Sequence, residues 1–147
     1  MTYGLTPTPR ERTLAHAVWN VIAEAHNKGQ TLRMPDLVTA TGIGQGLPWQ
    51  TRCAYVATGI HWARHTIAPK QGFVLGCDRS TGHYYLTQLP VEARGITFDI
   101  MREGRNRLKT IEVQLAGLPK TAQTKPIRVM RKTVERLIED IDDEITV

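Results

Sequence analysis

The stretch LPWQTRCAYVATGIHWARHTIAPKQGFVLGCDRSTGHYYL, residues 47–86, contains one periodicity followed by another. Apolar residues first recur at steps of three and four, which is typical of one face of a helix. After Pro69 the alternation has a period of two, and the turn residues DRSTG interrupt it at positions 78–82. The stretch therefore predicts a helix that leads into a β-hairpin with a basic, polar tip.

The helical part of this stretch, residues 49–66, is predicted to bury one side and to expose the other. Pro48 fits the first helical position because its missing N–H has no partner there, and Pro69 disfavours helical geometry in the residue before it. The side expected to face the core carries Cys53, Val56, Ala57, Ile60, Ala63 and Ile67. The side expected to face solvent carries Thr51, Tyr55, Thr58, Trp62 and His65.

An earlier helix is predicted to begin at Thr8, after a loose arm formed by residues 1–7. Thr8 and Glu11 match a capping box, in which each side chain accepts a hydrogen bond from the backbone N–H of the other residue. Lys28 and Gly29 supply the cation and the glycine that are typical of a helix end. The residues expected to be buried are Leu14, Val18, Val21, Ile22 and Ala25.

Short segments are predicted between these helices. Residues 30–33 are long enough for one edge strand. Residues 35–41 are expected to form a short helix that ends at Gly42, and the glycine-rich residues 44–47 a turn. The resulting order is helix, short strand, short helix, turn, longer helix and hairpin.

Two further helices are predicted after the hairpin. In residues 91–118, apolar residues form a heptad-like stripe that contains Gly95 and Gly104. Residues 119–126 contain two prolines and no periodicity, which indicates a linker. Residues 127–147 return to a helical stripe, made of Ile127, Met130, Val134, Leu137, Ile141 and Ile145.

The charges of the last helix run against its own dipole. It starts with Arg128, Arg131 and Lys132, and it ends with acidic residues. Antiparallel pairing of two copies would set each basic start against an acidic end. We therefore expect residues 127–147 to form a homo-oligomer, with a dimer favoured, through Met130, Val134, Leu137 and Ile141. Folding back as a helical hairpin onto residues 91–118 is the alternative.

The chain is basic, with a net charge of +5 and a pI near 9.5. Residues 1–90 hold eight Lys and Arg against four Asp and Glu, together with all five histidines. This excess favours a polyanionic partner, because each phosphate that a cation neutralises releases a condensed counterion. No apolar run is long enough to span a membrane, and the first residues lack the apolar core of a signal peptide. We therefore expect a cytoplasmic location and no membrane contact.

The sequence gives little support to a disulfide, a metal site or catalysis. Cys53 and Cys77 resemble small apolar core residues. His61 and His65 have the spacing of a metal-binding pair, but no close cysteine pair accompanies them, so no metal is expected. The chain contains no phosphate-binding glycine loop and no nucleophile elbow. We expect neither an enzyme nor a cofactor.

Three motifs carry a resemblance to a known family: DLVTATGI at residues 36–43, IHWAR at 60–64 and GHYYL at 82–86. With the order of elements around them, residues 8–88 resemble the winged helix-turn-helix proteins common in bacteriophage and prokaryotic genomes. The resemblance implies a mainly α fold with a small β-hairpin, of the α+β class. Residues 1–90 would form the winged helix-turn-helix domain, followed by C-terminal helices.

The resemblance also implies binding to double-stranded DNA, with the third helix in the major groove and the hairpin tip against the minor groove or the backbone. The residues implied to contact DNA are Gln50, Thr51, Arg52, Tyr55, Thr58, Arg64, Lys70 and Arg79. The implied function is that of a sequence-preferring, dimeric, phage-type regulator of transcription or of another DNA transaction. The alternative is a winged helix that binds a protein partner through Tyr55 and Trp62.

Overall fold

A computed structural model describes residues 6–146 of the chain, so most of the predicted loose arm lies outside the described residues. The chain divides into two compact units, Met1–Ala93 and Arg94–Val147, and the division falls inside a helix. The described residues are mainly helical, with one two-stranded antiparallel hairpin. The prediction of a mainly α fold with a small β-hairpin is confirmed.

The first unit contains the helices α1 (Pro9–Asn27), α2 (Met34–Thr41) and α3 (Trp49–Trp62). The capping box that starts α1 is confirmed, since the Thr8 N–H donates to Glu11 Oε1 at 2.9 Å and the Glu11 N–H donates to Thr8 Oγ1 at 3.2 Å. The local signals that begin α1 therefore act as the sequence predicted.

Helix α3 continues past Trp62 as a π-helical turn, Ala63–Ile67, and a 3₁₀ turn, Pro69–Gln71. Pro69 has no N–H and cannot extend the regular hydrogen-bond ladder. The N–H of Ala68, just before it, donates to the carbonyl of Ala63, five residues earlier, at 2.9 Å. This wider turn keeps Ala63, Ile67 and Ala68 buried in the core.

The hairpin pairs β1 (Val74–Asp78) with β2 (His83–Thr87), and Leu75 lies opposite Leu86. Both leucines are buried. The turn between the strands closes with Gly82 at a φ of 75°, a left-handed conformation that glycine adopts without steric cost. The hairpin therefore contributes one apolar side to the core of the first unit.

The predicted edge strand at residues 30–33 is reduced to a single bridge between Leu32 and Tyr84. The Tyr84 N–H donates to the Leu32 carbonyl at 2.7 Å, and the Leu32 N–H donates to the Tyr84 carbonyl at 3.3 Å. Beside the bridge, Thr31 Oγ1 and His83 Nδ1 lie 2.8 Å apart. The segment between α1 and α2 is thereby fixed to the outer edge of β2.

The core of the first unit lies between α1, α2, α3 and the hairpin. Helices α1 and α3 come closest at Gly59, where an added Cβ would lie 2.7 Å from Val18 Cγ2 and 2.8 Å from the Leu14 carbonyl oxygen. Only a residue without a side chain permits this approach. The buried apolar residues of this core are Ala15, Val18, Ile22, Leu37, Val38, Val56, Ile60, Trp62, Ala63, Ile67, Ala68, Leu75 and Leu86.

After the hairpin come α4 (Pro90–Ala116), a 3₁₀ turn and α5 (Lys125–Thr146). In the second unit, the Arg105 guanidinium forms a bidentate ion pair with Asp142, with one of its two contacts at 3.2 Å. At the other end, the Gln123 side-chain amide donates to the Leu115 carbonyl at 2.9 Å. Helix α5 therefore folds back along α4, which is the helical hairpin that the sequence left as an alternative.

The predicted oligomer contacts on α5 are not equally accessible. Met130 and Leu137 are exposed, and Ile141 is half-buried. Val134 is already buried within the single chain, so its assignment as a contact to another copy is wrong. None of the helices in residues 6–146 combines the length and the apolar character needed to cross a membrane.

Candidate nucleic-acid interface

One side of α3 faces away from the core along its whole length. Gln50, Ala54 and Ala57 are exposed there, His61 is half-buried, and His65 is exposed on the π-helical turn that follows. Their spacing of three and four residues places them in one stripe. We call these five residues the α3 outer stripe. Its middle is made of alanines, so a partner can approach the helix backbone closely, and polar side chains stand at both ends.

Two residues that were predicted to face solvent on α3 lie in the core. Thr58 is 7% exposed, and its hydroxyl donates to the Ala54 carbonyl at 3.1 Å, which satisfies a buried polar group locally. Trp62 is 3% exposed. The assignment of Thr58 to DNA contact is therefore wrong, as is the assignment of Trp62 to a protein-binding face.

Trp62 is connected to the start of α1. Its indole N–H donates to Glu11 Oε2 at 2.7 Å, while the other carboxylate oxygen of Glu11 accepts from the N-cap. The Thr8 backbone N–H, followed by the Trp62 indole, lowers the pKa of Glu11. This carboxylate therefore joins the end of α3 to the first turn of α1.

Arg52 stabilises the end of α2. Its Nε donates to the Ile43 carbonyl at 2.9 Å, and its Nη2 donates to the Val38 carbonyl at 3.2 Å. The Val38 carbonyl also accepts from the Gly42 N–H at 3.2 Å, and a carbonyl oxygen with two lone pairs can accept both bonds. Two donor groups of Arg52 are therefore used within the fold, and its predicted contact with base edges stays a prediction.

Arg64 connects the π-helical turn to the hairpin. Its Nε donates to the Leu75 carbonyl on β1 at 3.0 Å, and the side chain is half-buried. The predicted role of Arg64 as a phosphate contact is thus only partly compatible with its position, because part of its donor set is already used. The same bond links the π-helical turn to β1.

Tyr55 and Thr51 are both half-buried, beside the outer stripe rather than in it. The Arg10 guanidinium lies over the Tyr55 ring, 4.6 Å from its centroid, as in a cation–π contact. A Cβ added at Gly44 would lie 3.4 Å from Cδ2 of the Tyr55 ring. The ring of Tyr55 is therefore held between α1 and the turn before α3.

The two remaining predicted DNA contacts, Lys70 and Arg79, are exposed. Arg79 lies in the hairpin turn, where the Asp78 carboxylate accepts from the Ser80 N–H at 2.9 Å and from the Ser80 hydroxyl at 2.6 Å. The Ser80 hydroxyl and N–H lower the pKa of Asp78. Hydrogen bonds between Asp78 and Ser80 therefore fix the turn that carries Arg79.

A pair of histidines forms the far end of the outer stripe. The rings of His61 and His65 are 4.4 Å apart between centroids. Partial desolvation lowers the pKa of both rings, and for His61 the neighbouring His65 and Arg64 add to this effect. Within residues 6–146, no three His, Cys, Asp or Glu side chains are grouped as metal ligands.

The sequence interpretation missed Ala54 and Ala57 as surface residues of α3. It placed Ala57 in the core and Thr58 on the surface, whereas the structure exposes Ala57 and buries Thr58. Gly59 was the available signal, because a glycine in the middle of a helix often marks a close approach of another backbone.

Searches against protein-family profiles, curated proteins and solved structures found no match for the chain.

Proposed function

We propose that the protein is a sequence-preferring, double-stranded DNA-binding protein whose first unit is a winged helix-turn-helix. The α3 outer stripe carries this proposal. A helix with its side chains is about 10–12 Å wide, which fits a major groove about 12 Å wide. In the groove, Gln50 would meet base edges, where a glutamine can pair with adenine. The methyl groups of Ala54 and Ala57 would face thymine methyls.

The surroundings of the stripe support the same proposal. Lys70 and Arg79 are exposed cations on the turn after α3 and on the hairpin tip. In the proposed docking they contact phosphates, which orient the protein without reading sequence. His61 and His65 lie where a backbone phosphate would pass the end of the helix. In a winged helix-turn-helix, a short segment before the second helix is expected to pair with the hairpin, and the bridge between Leu32 and Tyr84 of β2 fits this arrangement.

We further propose that the protein binds DNA without catalysing a reaction and acts in the cytoplasm as a dimeric, phage-type regulator of transcription or of another DNA transaction. This role follows from the resemblance described above. Because Arg52 and Thr58 are engaged in the fold, sequence preference in this proposal depends on Gln50 and on the small residues of the stripe. We therefore expect modest preference among sequences.

A second candidate function is protein binding by the first unit, and one observation favours it. Leu47 and Trp49, at the start of α3, are 46% and 50% exposed. Exposed large apolar side chains close together are typical of protein contacts. The face differs from the predicted one, since Trp62 is buried. A partner of this kind would bury Trp49 as its central contact.

Salt dependence separates the two candidates. Binding of a labelled duplex of mixed sequence is measured by fluorescence anisotropy at increasing salt. For DNA binding, the logarithm of the association constant should fall linearly with the logarithm of salt, with a slope of about −0.9 for each phosphate contacted. Absence of duplex binding at low salt, or binding that salt does not weaken, would contradict the proposal and favour the protein partner.

A further inference from the structure

The second unit has a very small core of its own. In its described part, Val134 and Ile138 are the only buried apolar side chains, at 6% and 5% exposure, and α4 contributes none. Helices of this kind gain most of their stability from packing an apolar face against another element. The burial of two side chains offsets little of the conformational entropy that is lost when two long helices become ordered. The unit therefore gains substantially from any further apolar burial.

Apolar residues remain exposed along both helices of this unit. Ile100 and Ile111 lie on one stripe of α4, and Met130 and Leu137 lie on one stripe of α5. On α4 the stripe lies about a third of a turn around the helix axis from Arg105, and on α5 it lies about a third of a turn from Asp142. Viewed along the chain direction of each helix, the rotation has the same sense in both. Because the helices run in opposite directions, both stripes lie on the same side of the hairpin.

We propose that this side of the α4–α5 hairpin binds a second copy of the chain, with the two α5 helices antiparallel and Met130 of one copy opposite Leu137 of the other. The two hairpins then form a four-helix dimer with two-fold symmetry. Gly104 lies on the same side of α4, and nothing lies within 4 Å of a Cβ added there, so a neighbouring helix can approach closely.

The charges of α5 favour a second copy as the occupant. Residues 125–135 hold four cations and one acidic residue, whereas residues 136–146 hold five acidic residues and one cation. Antiparallel pairing about a two-fold axis sets the basic half of each helix against the acidic half of the other. A nucleic acid on this side would meet the acidic half of α5, and its phosphates would be repelled there. The charge pattern of α5 is therefore complementary to that of an antiparallel second copy.

Matched aspartate substitutions on each helix test the proposal. Leu137 and Val129 are 44% and 55% exposed on α5, and they point roughly a quarter of a turn apart. On α4, Ile111 belongs to the proposed interface, whereas Val113 points roughly to the opposite side. Masses of the full-length proteins are measured by sedimentation and light scattering over a range of concentrations, and circular dichroism checks folding.

The wild-type protein should be a dimer. Leu137→Asp and Ile111→Asp should weaken association by at least about 100-fold, because a buried unpaired charge is costly, whereas Val129→Asp and Val113→Asp should remain dimeric. A monomeric wild type overturns the proposal, and so does equal dissociation in all four variants or in none. If one interface variant loses its helical signal, the variant pair on the other helix decides.

Discussion

The guanidinium of Arg52 shows how a single side chain divides its use between folding and binding. It donates to the carbonyls of Ile43 and Val38, at 2.9 and 3.2 Å, where α2 ends. Its position near the front of α3 suggests base contact when only the sequence is considered. These two carbonyls compete with base edges for the same donors, and only the folded geometry shows that they are within reach.

We predict that Arg52→Ala lowers the free energy of unfolding by about 1–3 kcal/mol, because it removes two hydrogen bonds from a charged donor. Arg52→Lys should recover little of this stability, since an ammonium group lacks the planar fork. Urea denaturation measures the effect. An unchanged midpoint, combined with loss of base preference, would return Arg52 to the group of base-reading residues.

His61 and His65 lead to a prediction about pH. The pKa of each ring is lowered from 6.5 in the folded chain, so near and below that pH the unfolded chain binds more protons than the folded chain does. Stability must therefore fall as the pH drops below about 6.5. Replacing both histidines with Gln should flatten this dependence, and His16→Gln on α1 serves as the control. Equal curves for the two variants in denaturation would contradict the assignment.

The affinity for DNA should change with pH in the direction opposite to the change in stability. Phosphates favour the charged imidazoles, so DNA affinity should rise as the pH falls through the range in which the free protein loses stability. Anisotropy titrations at several pH values, on the wild type and on the double Gln variant, measure this. Affinity that does not depend on pH in the wild type would place the histidine pair away from the phosphates.

At the scale of elements, helix limits could be predicted but helix rotation could not. Thr8, Glu11 and Gly42 are local signals, and they act as predicted because their partners lie within a few residues. Rotation of α3 depends on α1, which packs against Gly59 from a distant part of the sequence. Adjacent residues of a helix differ by about 100° in direction. Exchanging the roles of Ala57 and Thr58 therefore changes the whole outer face.

Gly59 is predicted to be intolerant of even one added carbon. Gly59→Ala should lower the free energy of unfolding by about 1–3 kcal/mol, because the Leu14 backbone cannot move away cheaply. Gly95 lies in α4 with nothing within 4 Å of an added Cβ, so it is the matched control. Gly95→Ala should stabilise its helix, by up to about 1 kcal/mol. Denaturation of both variants checks the pair, and a tolerated Gly59→Ala would contradict the close helix approach.

At the scale of the whole molecule, composition and periodicity were sufficient for the mainly helical class and for the hairpin. Periodicity also marked one stripe of α5, but it could not decide that the fold buries Val134 and leaves Met130 and Leu137 exposed. That depends on the Arg105–Asp142 ion pair and on the turn around Gln123, which only the folded second unit brings together. Of the predicted DNA contacts, Gln50, Lys70 and Arg79 are exposed.

The most direct test of DNA binding through the outer face of α3 is the affinity of the whole protein for duplex DNA after Ala57→Glu, with Asn20→Glu as the control. Both positions are exposed on helices of the first unit, and both substitutions add one negative charge. In anisotropy titrations at fixed low salt, Ala57→Glu should weaken binding by at least about 100-fold, because it sets a carboxylate inside the groove. Asn20→Glu should change the affinity little. Equal affinities for the two variants, whether both retain or both lose binding, would contradict the assignment of α3 as the DNA-binding helix.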